Sequence, residues 1–376
     1  MLETLLWAAA GLWVFFLVQL LVNTLLVRPL PKVGPGTPDD CPTVSIVSPA
    51  RDEERGIRAA VSSFCRQDYP KLEVIVVDDC STDSTPRILS ELQTEFPMLK
   101  VVRGKEPQSG WLGKPNALEV GRQAAKGDWL IFADADVVYA PDLVSRSVAY
   151  AEREKAGMLC LWPEALSEGV LEAAIMSMFG LLFALTPAFL VSRPRWKRFA
   201  AGGGVFNMVR REALEACGAF ECLKDEVVDD VGLGFKVKAA GQKLALALPR
   251  GLIRIRIYQG AREAVEGFTK NIYPAMRRVP WAAPLLFACG LTIHILPYAA
   301  FLYSLALGEL HVPALIALVL MHLVLAGCAV VFRMPWYTVF LTPVREALWS
   351  WIALRSFLAY RRRGILWRGR AYGSMD

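Results

Sequence analysis

The stretch Trp129-Leu-Ile-Phe-Ala-Asp134-Ala-Asp136 decides the fold, because an apolar run ends abruptly in two acidic residues. A short run of this composition predicts a buried β-strand. Side chains two residues apart on extended backbone point to the same side, so Asp134 and Asp136 can together hold one hard divalent cation that also contacts a diphosphate. The alternative is a pair of turn or capping aspartates, since Pro141-Asp142 marks the start of a following helix.

Short β-branched runs and amphipathic segments of helix length alternate on both sides of this stretch. Predicted strands cover residues 44–48, 72–78, 101–103, 129–133 and 157–161, and predicted helices cover residues 54–65, 86–95, 115–126 and 141–154. This alternation predicts an α/β fold with a mostly parallel sheet that is covered on both faces. Ligands of such sheets bind beyond the carboxyl ends of the strands.

Acidic residues follow two more of the predicted strands. Asp78 and Asp79 come directly after one, and the sequence Ser48-Pro49-Ala50-Arg51-Asp52-Glu53 follows another. Helix capping easily explains one such case, but three strands that end in carboxylates at one edge indicate a ligand site.

A second acidic pair lies downstream. Asp229 and Asp230 stand at the start of a helix predicted to end before Gly241. Adjacent carboxylates in apolar surroundings can raise one pKa, which suits a general base. An acidic helix N-terminus that complements the helix dipole is the equally weighted alternative. The nearby glycines 202–204 allow close backbone approach to a ligand, or form a simple turn.

The ordered set of motifs resembles the inverting family-2 glycosyltransferases with the GT-A fold, over about residues 43–275. The motifs are Ser48–Glu54, Val77-Asp78-Asp79-Cys80-Ser81, Gly113-Lys114-Pro115-Asn116-Ala117-Leu118, Asp134-Ala135-Asp136 and Asp229-Asp230. Within that family the chain is most similar to membrane enzymes that glycosylate lipids, such as the carotenoid, hopanoid and ceramide glycosyltransferases. The ending Trp367-Arg368-Gly369-Arg370-Ala371-Tyr372 also resembles the tail of those proteins.

The resemblance implies roles for individual residues. It assigns donor binding to Pro49, Ala50, Glu53, Asp78, Asp79, Lys114 and Asp134. Asp134 and Asp136 would bind a Mn²⁺ or Mg²⁺ ion. Asp230, with Asp229 beside it, would be the catalytic base that deprotonates an acceptor hydroxyl, and the metal would stabilise the departing nucleoside diphosphate.

The chain departs from the family at one motif. Polymerising and ceramide-type members carry Gln-x-x-Arg-Trp after the base, whereas this chain has Gln259-Gly-Ala-Arg262-Glu263 without the tryptophan. A processive polymer synthase is therefore disfavoured. Acceptor-side or donor-side roles are expected, without a firmer assignment, for Gly203, Gly204, Gln259, Arg262 and Lys270.

The N-terminus is predicted to be a membrane anchor over residues 1–27. Residues 5–27 are almost purely apolar and long enough to cross a bilayer core of ~30 Å. Glu3 precedes this run and Arg28 follows it, which indicates a retained anchor whose C-terminal side faces the cytosol, and not a cleaved signal peptide. A Pro/Gly-rich linker over residues 28–42 then leads to a catalytic domain over residues 43–278.

Residues 279–376 are predicted to form a second membrane region. The runs 284–307 and 312–332 are long enough to span the bilayer. The segment 336–360 is apolar but carries three charged residues, and a basic tail follows it. A span there would place Arg361, Arg362 and Arg363 outside, against the positive-inside rule, so the segment is predicted to be interfacial or re-entrant.

One apolar segment lies inside the predicted catalytic domain, at residues 170–191. A single crossing there would place Asp134 and Asp230 on opposite sides of the bilayer. We therefore predict a helix in the membrane interface, with a buried core helix as the alternative. The basic cluster that follows suits anionic headgroups or is a solvated surface, and consists of Arg193, Arg195, Lys197 and Arg198.

Composition agrees with a membrane enzyme, because 54% of the 376 residues are hydrophobic and the formal charge is +6. Nucleic-acid binding is not expected, since the basic residues do not interleave with aromatic ones. The predicted function is inverting transfer of a sugar from a nucleotide-sugar, UDP-linked by preference, to a lipid or lipid-like acceptor. It would take place in the cytosol, at a multi-pass protein of the cytoplasmic membrane. The alternatives are a polysaccharide-initiating or short-polymer synthase and a catalytically silent membrane scaffold.

Overall fold

A computed structural model describes residues 1–32, 41–276, 289–362, 365–367 and 370–372. Most of the predicted linker, the start of the predicted span 284–307 and part of the basic tail lie outside these residues. The chain divides into two compact units. The sheet unit comprises Val27–Glu164 and Ala188–Arg256, and the helical unit comprises Met1–Leu26, Ala165–Pro187 and Ile257–Asp376.

The sheet unit is built on seven strands in the order β3-β2-β1-β4-β7-β6-β8. They are β1 (Val44–Ala50), β2 (Leu72–Asp78), β3 (Leu99–Arg103), β4 (Trp129–Phe132), β6 (Met158–Leu161), β7 (Asn207–Arg210) and β8 (Leu244–Ala247), while β5 (Val138–Tyr139) pairs with β9 (Ile253–Arg254). Among the seven strands described in this sheet, β7 alone runs antiparallel to both of its neighbours. The predicted α/β fold with a mostly parallel sheet is thus confirmed.

Helices follow most of the strands, as the alternating pattern predicted. They are α2 (Ile57–Cys65), α3 (Thr85–Glu95), α4 (Gly113–Ala124), α5 (Leu143–Glu154), α7 (Arg211–Ala216) and α8 (Asp229–Ala239). The central strands are mostly apolar in their buried stretches; Val74, Ile75 and Ile131, for example, have no exposed surface. Strands covered on both faces read as continuous apolar runs, which is why the sequence revealed them.

The helical unit contains α1 (Leu2–Leu26), α6 (Val170–Leu185), α9 (Ala261–Met276), α10 (Leu296–Ala306), α11 (Val312–Val331) and α12 (Thr342–Arg362). A π-helical turn, Leu291–Ile295, precedes α10. Within the described ranges, α1 and α11 are the two helices long and apolar enough to cross a membrane. Two short strands, β10 (Ile365–Trp367) and β11 (Arg370–Tyr372), pair near the C-terminus.

Helix α6 is the apolar segment that the sequence predicted to lie in the membrane interface, with a buried core helix as the alternative. It is packed against α1, α11 and α12, and most of its side chains are buried. Asn23 donates its amide to the carbonyl oxygens of Phe183 at 2.6 Å and Thr186 at 2.9 Å. The burial agrees better with a core helix of this unit than with a helix whose apolar face is exposed.

Candidate active site

Three parallel strands bring their carboxyl ends to one edge of the sheet. Ala50 at the end of β1 lies opposite Asp78 at the end of β2, and β4 pairs with β1 on its other side. The backbone N–H of Asp79 donates to the carbonyl of Ala50 at 2.8 Å. Asp78 and Asp79 are both buried. The acidic strand ends predicted from sequence therefore do lie at one edge.

Lys114 connects two of the acidic motifs. It stands in the first turn of α4, and its Nζ donates to Asp134 Oδ1 at 2.7 Å and lies 4.0 Å from Asp229 Oδ1. Burial opposes the charge, but the carboxylates of Asp134, Asp229 and Asp230 outweigh it and raise the pKa of Lys114 well above its ordinary value. The Lys114 ammonium group thus lies among three carboxyl groups, where it could also form a charge-assisted hydrogen bond with a diphosphate.

Asp229 and Asp230 begin α8, as predicted, but they meet different surroundings. Asp229 is 4% exposed, and burial raises the pKa of its carboxyl to about 7, an effect that Lys114 counteracts and Asp230 reinforces. Asp230 is partly exposed. Its Oδ2 accepts the N–H of Gly204 at 2.7 Å and its Oδ1 accepts the N–H of Val231 at 2.8 Å. Of these two carboxylates, only that of Asp230 is therefore accessible to a ligand.

A glycine segment, residues 202–204, joins the two acidic motifs through its backbone. Gly204 donates to the Asp230 carboxylate and accepts the N–H of Asp134 at 2.8 Å. A Cβ at Gly204 would lie 2.2 Å from Asp134 Oδ2, and one at Gly202 would lie 1.9 Å from the Asp230 carbonyl oxygen. The two glycines thus allow close approach to the protein's own acidic motifs, at the Asp134 carboxylate and the Asp230 backbone, which the sequence did not indicate.

Asn207 is a polar residue of the site that the sequence analysis missed. It is 2% exposed, accepts the N–H of Gly203 at 3.1 Å and donates to the carbonyl of Asp230 at 3.2 Å. The signal was present, because Asn207 is the one polar residue within the apolar run Val205-Phe206-Asn207-Met208-Val209. A buried polar side chain of this kind needs partners, and here both partners belong to the site.

One pocket collects most of these groups. Its polar and backbone wall comprises Pro49, Lys114, Asp134, Gly204, Asn207, Asp229 and Asp230, and its apolar wall comprises Leu118, Phe132, Ala133, Phe220 and Leu233. Asp136, Ala50, Glu53, Asp78, Asp79 and Gly203 are not among the lining residues. Gln259, Arg262 and Lys270 belong to the helical unit, where the Arg262 side chain is 95% exposed and paired with Glu266. The roles expected for all these residues remain predictions.

The donor set of the pocket is compatible with a hard divalent cation. Among the described residues, no three His, Cys, Asp or Glu side chains converge as a complete metal site. Asp134 nevertheless places carboxylate oxygens on the pocket wall, and Mg²⁺ and Mn²⁺ prefer such ligands and usually share one or two carboxylates with substrate phosphates. The coordination shell of an ion at this edge would thus be completed by oxygen atoms of the substrate.

Comparison with known proteins places the chain among glycosyltransferases. The sequence model of Glycosyl transferase family 21 matches residues 11–374. A beta-monoglucosyldiacylglycerol synthase of Nostoc sp. is 31% identical over 251 residues, which are 64% of this chain and 48% of that protein. A 4,4'-diaponeurosporenoate glycosyltransferase of Staphylococcus haemolyticus is 25% identical over 239 residues, 61% of each chain. The chain thus spans about half the length of the first of these relatives.

A solved structure shares the fold. The mannosyltransferase of Pyrobaculum calidifontis, determined in complex with GDP-Man and Mn²⁺, aligns with a TM-score of 0.58 at 22% identity, over 95% of this chain and 99% of that one. At this identity the likeness establishes the fold alone. It agrees with the GT-A-like architecture that the motifs predicted.

Proposed function

The chain belongs to Glycosyl transferase family 21, and we propose that it transfers a sugar, with inversion, from a nucleotide-sugar to a hydroxyl of a lipid acceptor. The observation that supports this most strongly is the convergence of Lys114, Asp134, Asp229 and Asp230 in one pocket at the carboxyl edge of the sheet. A lipid acceptor is favoured because one relative is named a beta-monoglucosyldiacylglycerol synthase and another a 4,4'-diaponeurosporenoate glycosyltransferase.

Asp230 is the proposed catalytic base. The N–H groups of Gly204 and Val231 fix its carboxylate, and its partial exposure leaves access for an acceptor hydroxyl. The acceptor oxygen attacks the anomeric carbon as the bond to the nucleoside diphosphate breaks, and its proton passes to Asp230. Asp229 is too buried for this step; its carboxyl group lies beside Lys114 and helps to position that lysine.

The donor end of the pocket handles the leaving group. Lys114 lines the pocket beside Asp134, and its ammonium group would stabilise the negative charge of the departing diphosphate. Asp134 and Asp136 would hold Mn²⁺ or Mg²⁺, which supplies electrostatic stabilisation of the nucleoside diphosphate. A UDP-sugar is the favoured donor, and the cytosolic membrane face, where nucleotide-sugars are available, is the proposed location.

The test uses full-length protein in nanodiscs that contain diacylglycerol or a bacterial lipid extract, with a panel of UDP- and GDP-sugars. Mass spectrometry should detect a lipid heavier by one hexose, and NMR of the purified product should show an anomeric configuration opposite to that of the donor. Asp230→Asn should lower turnover about 10²–10⁴-fold, as expected for loss of a general base, with donor affinity nearly unchanged. Asp225→Asn, an exposed carboxylate five residues earlier, serves as the matched control.

Two outcomes would contradict the proposal. Transfer of many sugars to one acceptor would identify a polymer synthase. A loss of donor affinity in Asp230→Asn as large as its loss of turnover would place Asp230 in the donor pocket and leave the base unassigned.

A further inference from the structure

A strongly basic loop in the sheet unit has no role in the proposed chemistry. Residues 193–198, Arg-Pro-Arg-Trp-Lys-Arg, are six consecutive exposed residues with four cations, and the Trp196 side chain is 53% exposed. In the part of the chain that the structure describes, no carboxylate lies within ion-pair distance of these four cations. None of them lines the pocket either. The loop therefore presents an uncompensated positive charge beside an exposed indole ring.

Lys238 gives this loop a fixed shape. It projects from α8, is 1% exposed, and donates its ammonium group to the carbonyl oxygens of Leu190 at 3.1 Å and Val191 at 2.7 Å, and to that of Phe199. The carbonyls before and after the basic run are thus tied to one buried cation. Because one buried lysine binds the backbone on both sides of the run, the four cations are kept within one short loop.

The composition of the loop matches one kind of partner. Clustered lysines and arginines are attracted to anionic lipid headgroups, and a tryptophan with an apolar body and a polar N–H is enriched at the membrane–water interface. We propose that the loop of residues 193–198 docks on an anionic bilayer surface, where Trp196 inserts at headgroup level and the four cations pair with lipid phosphates.

Docking of this loop would also affect the position of Asp230, because helix α8 connects the two. Lys238 and Asp230 both belong to α8, and the residues that follow the loop run into glycines 202–204. A loop bound at the bilayer would therefore hold the base-bearing helix at the membrane surface. This inference goes beyond the proposed transfer reaction, and its test requires no substrate.

Hydrogen–deuterium exchange of the full-length protein in nanodiscs tests the proposal. Amides 195–198 should exchange about tenfold more slowly in nanodiscs of phosphatidylcholine with phosphatidylglycerol than in phosphatidylcholine alone. Raising the salt to about 1 M should remove the difference, because the screening length falls to about 3 Å. Replacing Arg195, Lys197 and Arg198 with Gln should weaken the attraction about a hundredfold and abolish the protection.

The matched control is the triple variant Lys100→Gln, Lys126→Gln and Lys155→Gln, which removes the same charge from exposed positions elsewhere in the sheet unit. It should retain the protection, and exchange within β1 and β2 should be unchanged in both variants, which excludes misfolding. Equal exchange of the wild-type loop in the two lipids would overturn the proposal. So would protection by inorganic phosphate in phosphatidylcholine nanodiscs, which would identify a phosphate site instead of a lipid surface.

Discussion

At the residue scale, the site depends on a backbone contact that no sequence motif contains. Gly204 lies between the Asp134 and Asp230 motifs and hydrogen-bonds to both, with its N–H directed to one and its carbonyl to the other. Asp134 and Asp230 are 96 positions apart in the numbering, and this one residue links them through its backbone hydrogen bonds. A side chain at Gly204 would therefore displace both motifs.

Gly204→Ala should lower turnover by about 10²-fold or more, because misplacement of a reacting group by about 1 Å has an effect of that size. Its Cβ would meet Asp134 Oδ2 at 2.2 Å. Gly203→Ala is the control, since a Cβ there finds only Val205 Cγ2, at 3.5 Å. Steady-state kinetics of both variants in nanodiscs measure the difference, and an equal loss in both would show that chain flexibility matters instead of contact.

The buried carboxyl of Asp229 should give the protein a pH-dependent stability. Its pKa in the folded protein is about 7, above the ordinary 3.8, so between about pH 4 and 7 the folded protein keeps a proton that the unfolded chain has released. The free energy of unfolding must then fall as the pH rises through this window, by up to about 4 kcal/mol in total once the pH exceeds the folded-state pKa. Asp229→Asn removes this term and should stabilise the protein at pH 8 but hardly at pH 4.

Apparent melting temperatures of the full-length protein in detergent with EDTA measure this effect. The difference between Asp229→Asn and wild type should grow from pH 4 to pH 8. The exposed Asp225→Asn control should show no such trend. A difference between Asp229→Asn and wild type that is the same at both pH values would mean that Asp229 is ionised in the folded protein throughout.

At the scale of secondary-structure elements, the sequence predicted the parts that local pattern determines. The strands β1, β2, β4 and β6 were recognised from their buried apolar runs, and α8 was predicted to begin at its acidic pair. The strand β7 was not predicted. It is only four residues long and is inserted antiparallel between β4 and β6, so its pairing depends on partners distant in sequence. Asn207 gave a local signal as a polar residue within an apolar run, but its partners become visible only when β7 is placed.

The pairing of α1 with α6 depends on polar contacts between apolar helices. Asn23, fully buried, donates to two carbonyls at the end of α6, and Gln19 donates to the carbonyl of Ala184 at 2.9 Å. Hydrogen bonds between membrane helices contribute about 0.6 kcal/mol on average and up to about 1.7 kcal/mol. These contacts join residues about 160 positions apart, which no local sequence pattern could have indicated.

Asn23→Leu should therefore destabilise the helical unit by about 1–2 kcal/mol, seen as a lower melting temperature in detergent. Thr24→Ala is the control, because the Thr24 hydroxyl donates only to Leu20 within α1. Similar losses in both variants would indicate that helix propensity, and not the contact with α6, determines the effect.

At the scale of the whole molecule, the charges beside the apolar helices predict a topology. Arg28 follows α1 and Arg333 follows α11, whereas the turn between α10 and α11 contains Glu309 and no lysine or arginine. Basic residues stay on the cytosolic side, so the ends of α1 and α11 that precede Arg28 and Arg333 should face the cytosol and the α10–α11 turn should face outward. The sheet unit follows α1 in the chain and would then be cytosolic, where nucleotide-sugars are available.

Labelling of intact cells with a membrane-impermeant maleimide tests this topology. Glu309→Cys should react from outside, because the residue is exposed in the turn that should face outward. Lys126→Cys, equally exposed but in the sheet unit, should react only after the membrane is permeabilised. The parent chain, with its own cysteines, gives the background for both. External labelling of Lys126→Cys would place the acidic pocket on the side that lacks nucleotide-sugars, and the proposed transfer reaction could then not take place there.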